Sequence, residues 1–352
     1  MSLTSHLKDS NSTVRKFMRE RFPNTRRVMA LSRGRMGNLP TRSPNGTVPW
    51  TLIGTALDYR LRFYFPQTGC KAGVENLICF RGAARACGGS VAYDENDMPL
   101  ALLPPAEARA GCLDHALLVD FFESLKDCLT RHPPQQRLAP CAEDELLRHC
   151  VVMAALDCFF RSGGREPSVL LIPKRCQTVA ELLAVAERAW LDDLRGLSSD
   201  FCDMFPDLWT QPATLNPTFD GSGFVCGADA DLISDGCLID FKTTIHPLKD
   251  AGWIYQILGY VLLDWHDEYK IDHLAVYFAR QSYLLKWEVG EMLRELTGDA
   301  NVTLEGIRQE WYDVVHAQMR LPNETEFDQK FAKDMGYVMI GGRWKRWRGG
   351  TD

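Results

Sequence analysis

An Asp235-Gly236 dipeptide separates two short runs in which polar and apolar residues alternate. A two-residue type I′ turn favours this pair, because both central positions need positive φ. A turn here fixes the register on either side. Ser234 faces Cys237, Asp231 lies opposite Asp240, and Asp229 lies opposite Lys242. Side chains alternate along a strand, so Asp229, Asp231, Asp240 and Lys242 share one face, while Ala230, Leu232, Ile239 and Phe241 form the expected core face. Two carboxylates about 5 Å apart across a ladder repel each other. The spacing therefore predicts a cation between Asp231 and Asp240.

The rest of the chain limits what can surround this hairpin. Its 352 residues, 45% hydrophobic, suffice for one large or two ordinary domains. No uncharged apolar run of membrane-spanning length occurs and the start has no apolar signal core, so the expectation is a cytoplasmic protein with no membrane partner. The 12 cysteines include no C-x-x-C pair, and Cys150 and Cys158 sit among apolar neighbours as buried thiols do. The net charge is −6, but residues 1–42 carry ten Lys/Arg against Asp9 and Glu20 alone. The end of the chain interleaves Arg343, Trp344, Lys345, Arg346, Trp347 and Arg348. Cations at both ends, joined at the C-terminus by aromatics, suit phosphate contact and base stacking; the alternative is a solvated tail.

Four segments are expected. Residues 1–48 read as a basic N-terminal arm with a helix near 13–21. Residues 49–200 read as an early core helix at 50–65, where Leu57, Leu61 and Tyr64 recur at helical spacing, followed by a mostly helical insertion. Its helices are predicted over 112–131, 142–161 and 179–194, the last capped by Thr178, with a short apolar run at 169–172. Gly54-Thr55 leaves room for another backbone. Residues 201–290 read as three strands over 213–220, 223–234 and 237–244, a helix over 248–265, and strands over 272–280 and 283–289. Residues 291–352 read as a C-terminal helix and the basic Trp/Arg tail. This order describes an α/β fold with a mixed central sheet flanked by helices.

Asp231 and Asp240 are hard oxygen ligands suited to Mg²⁺ or Mn²⁺. Lys242 points to the same side and can orient a water and steady charge on a phosphate. Gln256 and Tyr260, four apart on the next helix, share a face and can hold the lysine or contact a phosphate. His149 reads as a packed helix histidine, Trp253 as a core residue, and His246 as a candidate phosphate contact.

Asp231…Asp240-Phe241-Lys242 followed by Gln256-Ile-Leu-Gly-Tyr260 resembles the PD-(D/E)xK phosphodiesterase superfamily, and within it the RecB-like nucleases. Ile53-Gly54-Thr55-Ala56-Leu57-Asp58 resembles that group's early Gly-Thr-x-x-His helix, with Asp58 in place of the His, as in related exonucleases. Ala230 precedes Asp231, so the literal Pro-Asp is missing, and Asp229 stays open as an alternative first ligand. The resemblance implies a restriction-endonuclease-like core with a helical insertion. It implies a Mg²⁺- or Mn²⁺-dependent nuclease in which Asp231, Asp240, Asp58 and the Phe241 carbonyl hold the metal. Asp231, Asp240, Lys242, Gln256 and Tyr260 would form the catalytic set. The substrate would be nucleic acid, DNA favoured over RNA, and a helicase or a recombination complex is a candidate protein partner. No iron–sulfur cluster is expected, since no Cys follows Cys237. The alternative is a silent nucleic-acid-binding or assembly module of the same fold.

Overall fold

The structure is a computed structural model that describes residues 2–65, 77–94, 99–105, 113–132, 137–164, 176–206, 213–319, 337–340 and 343–346. The chain divides into two compact units: Met1–Pro40 with Gln211–Lys242 and His246–Asp352, and Thr41–Thr210 with Thr243–Ile245. Among the described residues, no helix is long and apolar enough to cross a membrane.

The first unit begins with helices α1 (Leu3–Lys8), α2 (Thr13–Arg21) and α3 (Thr25–Met36). In place of the arm expected over 1–48, these helices send Leu3, Leu7, Val14, Met18, Phe22, Val28 and Met36 into the hydrophobic core. Each helix is too short to persist alone, so packing rather than propensity sustains it.

The second unit holds α4 (Trp50–Arg62), α5 (Ile78–Cys87), a hairpin of β1 (Ser90–Tyr93) and β2 (Pro99–Leu103), then α6 (His115–Arg131), α7 (Pro140–Arg161), α8 (Val179–Leu183) and α9 (Arg188–Met204). The helix expected over 179–194 is two helices. The carbonyls of Leu183 and Ala186 at the break accept from Arg148 Nη1, each at 3.2 Å. Thr178 and Glu181 complete a capping box at the start of α8. Between α4, α7 and α9, Arg60 donates two hydrogen bonds to Glu143, at 2.9 and 2.7 Å, and Ser198 donates to the same carboxylate at 2.8 Å. What approaches Gly54 is the Thr243 side chain, at ordinary contact distance from where a Cβ would stand, and not a backbone. The apolar run at 169–172 lies outside the described residues.

The first unit resumes with β3 (Ala213–Leu215), β4 (Leu232–Ser234), β5 (Cys237–Lys242), α10 (Gly252–Leu263), β6 (His273–Phe278), β7 (Tyr283–Glu288), α11 (Val289–Thr297), α12 (Leu304–Met319), and a hairpin of β8 (Tyr337–Ile340) and β9 (Arg343–Arg346). The five-stranded sheet runs β3-β4-β5-β6-β7; β5 and β6 are parallel and the other neighbours antiparallel. The fold is α/β with a mixed sheet, as expected. Helix α10 makes the crossover that parallel strands require. Apolar on nearly every side, it is buried from Trp253 to Leu263 except at the half-buried Gln256.

Two expectations about the sheet are corrected. Residues 216–231 form no continuous strands. Ser222 accepts from the Phe219 N–H at 2.9 Å and donates to the Ala228 carbonyl at 2.6 Å, which winds Ser222–Val225 into a 3₁₀ turn. And both faces of the hairpin are covered: Ile233 and Leu238, on the carboxylate side, are buried alongside Leu232 and Ile239.

The turn itself is as expected, with Asp235 at φ 47° and Gly236 at φ 69°. A Cβ on Gly236 would stand 2.9 Å from Asp272 Oδ1 and 3.2 Å from the Lys270 carbonyl. Gly236→Ala should therefore destabilise the first unit by about 1–2 kcal/mol, from left-handed strain alone, as read by chemical denaturation.

Candidate functional site

The β4–β5 ladder pairs Ser234 with Cys237, Ile233 with Leu238 and Leu232 with Ile239. The ladder ends there; Asp231 and Asp240 are the residues next in line on its two arms. Beyond it the strands part. The Asn216 N–H donates to the Asp231 carbonyl at 3.1 Å, and the Ala230 N–H turns to the Pro217 carbonyl, at 3.2 Å. The Phe241 N–H, which would have paired with Ala230, donates instead to Asp231 Oδ2 at 2.6 Å. An extended residue sends its N–H and its carbonyl to the same edge, so the Phe241 carbonyl is directed to the side where Asp231 lies. Asp229 makes an isolated bridge to Thr218 just upstream.

From Asp240 a chain of polar contacts runs into α10. The Asp240 side chain is 2% exposed and its Oδ2 stands 2.6 Å from Lys242 Nζ, an ion pair without hydrogen-bond alignment. Lys242 donates to Gln256 Oε1 at 2.9 Å, and Gln256 Nε2 donates to Tyr260 Oη at 2.8 Å. The four-residue spacing on α10 is what stacks the amide over the phenol. Phe219 stacks on Tyr260 with ring centroids 5.9 Å apart. Burial pushes the Tyr260 phenol well above its ordinary value, and the charges of Asp240, Asp231 and Asp229 push it further. The phenol is thus a neutral group beside three carboxylates.

The cation expected between the carboxylates is supplied here in part by the protein itself, since Lys242 pairs with Asp240. The Asp240 carboxylate, whose Oδ2 is ion-paired with Lys242, and the oxygens of Asp231 and Phe241 are hard donors of the kind a divalent ion of the Mg²⁺ type takes. Among the described residues, however, no group of three or more His, Cys, Asp or Glu could hold a metal. Asp58 belongs to the second unit. There it pairs with Arg62 one turn along α4, and burial raises its carboxyl against the lowering effect of Arg62.

The remaining candidates divide. His149 is fully buried, with Nδ1 2.8 Å from the Glu145 carbonyl and Nε2 3.1 Å from Ser124 Oγ, a packed histidine as expected. Trp253 lies in the core, edge-on to Phe278. His246 is exposed just after β5. The backbone of Arg343, Trp344, Lys345 and Arg346 forms β9, in place of the expected tail; Trp347 and Arg348 lie outside the described residues. Phe219 is not singled out by sequence reasoning. Its signal there is only an aromatic beside Asp220, in a stretch that reads as a plain strand.

No family model, no curated protein and no solved structure matches the chain.

The ion pair makes a prediction that needs no ligand. Lys242→Met leaves the buried Asp240 without its counter-charge and should cost about 3 kcal/mol in EDTA. Asp240→Asn with Lys242→Met should recover most of that loss, because removing both partners strands neither. Unfolding free energies of both single variants and the double variant check this.

Proposed function

We propose that the protein is a metal-dependent nuclease that hydrolyses phosphodiester bonds of nucleic acid, built on a RecB-like, restriction-endonuclease-like core. The observation that carries this reading is the convergence of Asp231, Asp240, Lys242, Gln256 and Tyr260, from two strands and a helix, into one connected polar site inside an apolar core. Asp231, Asp240 and the Phe241 carbonyl would hold Mg²⁺ or Mn²⁺. When bound, such an ion lowers the pKa of water and offsets the negative charge that builds on a phosphate under attack.

The chain's own residues do the rest. Asp240 and Gln256 hold the Lys242 ammonium from two sides, which fixes where its positive charge would stand beside a phosphate. Tyr260, kept protonated by burial and by the carboxylates, is a fixed neutral partner that orients the Gln256 amide. This keeps a further charge out of a site that already holds three carboxylates.

A second reading is favoured by the engagement of Lys242 on two sides and by the lack, among the described residues, of any group of three His, Cys, Asp or Glu that could hold a metal. On that reading the polar cluster is structural and the protein binds or assembles without cutting.

Cleavage assays on linear, circular and single-stranded DNA and on RNA, each with Mg²⁺ or Mn²⁺, separate the two. The nuclease reading expects hydrolysis by the wild type and a loss of about 100- to 1,000-fold in Asp240→Ala, the scale on which removal of an electrostatic catalytic group is felt. Nucleic-acid binding should be intact or improved in that variant. Equal hydrolysis by the two proteins would contradict it.

A further inference from the structure

The N-terminal helices concentrate positive charge on a rigid surface that the proposed chemistry does not use. In α2, Val14 and Met18 point into the core while Lys16 and Arg19 are exposed; in α3, Val28, Met29, Ser32 and Met36 point inward while Arg26 and Arg33 are exposed. Neighbouring arginines find carboxylates within the same unit: Arg21 pairs with Glu310, Arg27 with Glu295 and Arg35 with Glu291. Lys16, Arg19, Arg26 and Arg33 have no carboxylate within ion-pair distance among the described residues, and the acidic side chain nearest in sequence on α2, Glu20, offsets only part of their charge. In a chain of net charge −6, this is a local excess of the opposite sign.

The helices that carry this surface pack against α10 and the turn before it. The Arg15 guanidinium lies 4.8 Å from the centre of the Tyr255 ring, and Thr25 Oγ1 is 3.2 Å from Tyr255 Oη, so α2 and α3 both meet α10 at the residue next to Gln256. Arg33 Nη2 donates to the Leu248 carbonyl at 3.2 Å, which sets the end of α3 beside the turn that leads from β5 into α10. That turn exposes Lys249.

We propose that the outer faces of α2 and α3, with Lys249, form a docking surface for the phosphodiester backbone of a nucleic acid. The proposal rests on the reading that the protein acts on nucleic acid, and not on whether it cuts. Phosphate is the partner that exposed guanidinium and ammonium groups recognise without reading sequence. The helices are anchored by core residues, so little side-chain and backbone freedom is left to be lost on binding. A flexible basic arm would lose much more.

The test uses the full chain in EDTA and a fluorescein-labelled DNA, duplex and single-stranded, followed by anisotropy from about 50 to 200 mM salt. The variant carries Lys16→Glu, Arg19→Glu, Arg26→Glu and Arg33→Glu; a Gln series at the same positions serves if the Glu series unfolds. We expect at least about tenfold weaker binding and a log–log salt slope flatter by about 0.9 for each duplex phosphate that the variant no longer neutralises. Cleavage of bis(p-nitrophenyl) phosphate, too small to span the surface, should be unchanged wherever the wild type shows it. Unchanged affinity and slope in both variant series would overturn the surface while leaving the nuclease reading standing. Weakened binding in a protein that never cleaves would uphold the surface and remove the nuclease. Binding of the wild type to phosphatidylserine vesicles but not to DNA would overturn the proposal.

Discussion

A carboxylate that is 2% exposed needs a counter-charge, and Asp240 finds one 2.6 Å away in Lys242, two residues along the same strand. Left alone there, the carboxylate would be strongly destabilising. The desolvation cost of a lone buried ion is several kcal/mol, whereas a held pair comes close to break-even. The pair then dictates its surroundings. Lys242 needs an acceptor on its other side and takes Gln256; the Gln256 amide needs an acceptor and takes Tyr260; Tyr260 must stay neutral among carboxylates, which its burial ensures. One buried charge is thereby linked through two side chains to the face that α10 turns to β5.

The same arrangement depends on where the β4–β5 ladder ends. If Ala230 had continued the pairing, Phe241 would have met a backbone carbonyl, and Asp231 would have been another strand residue. Because Ala230 turns to Pro217, the Asp231 carboxylate takes the Phe241 N–H. The unpaired rung is the physical reason that a side chain and a main-chain carbonyl come to one edge. A continuous ladder consumes its carbonyl oxygens in pairing, so oxygens converge on a common point only where the ladder is interrupted.

Much of this site is legible in the sequence because a single dipeptide carries it. Asp235-Gly236 tolerates positive φ at both positions, so the register follows from Ser234 opposite Cys237 to Leu232 opposite Ile239, one step short of Asp231 and Asp240. The Gln256–Tyr260 spacing is legible by helical period. The packing of the N-terminal helices is not, because α1 has six residues and α2 nine, too few for their apolar positions to show a period above the arginines between them. The stretch 216–231 misleads since its alternation mimics a strand, while one hydroxyl, that of Ser222, winds it into a turn. The engagement of Lys242 by Asp240 is also out of reach: sequence gives the face a side chain points to, and not which of two neighbours it chooses.

On the proposed reading, the unpaired rung of the hairpin, with the Asp240–Lys242 pair beside it, holds a divalent cation. The most direct measurement is an anomalous difference map from crystals of the protein grown with Mn²⁺. The predicted result is a manganese peak in contact with the carboxylates of Asp231 and Asp240 and the Phe241 carbonyl, absent in crystals of Asp240→Ala. A fully ordered hairpin with Lys242 on Asp240 and no manganese at that rung would contradict it.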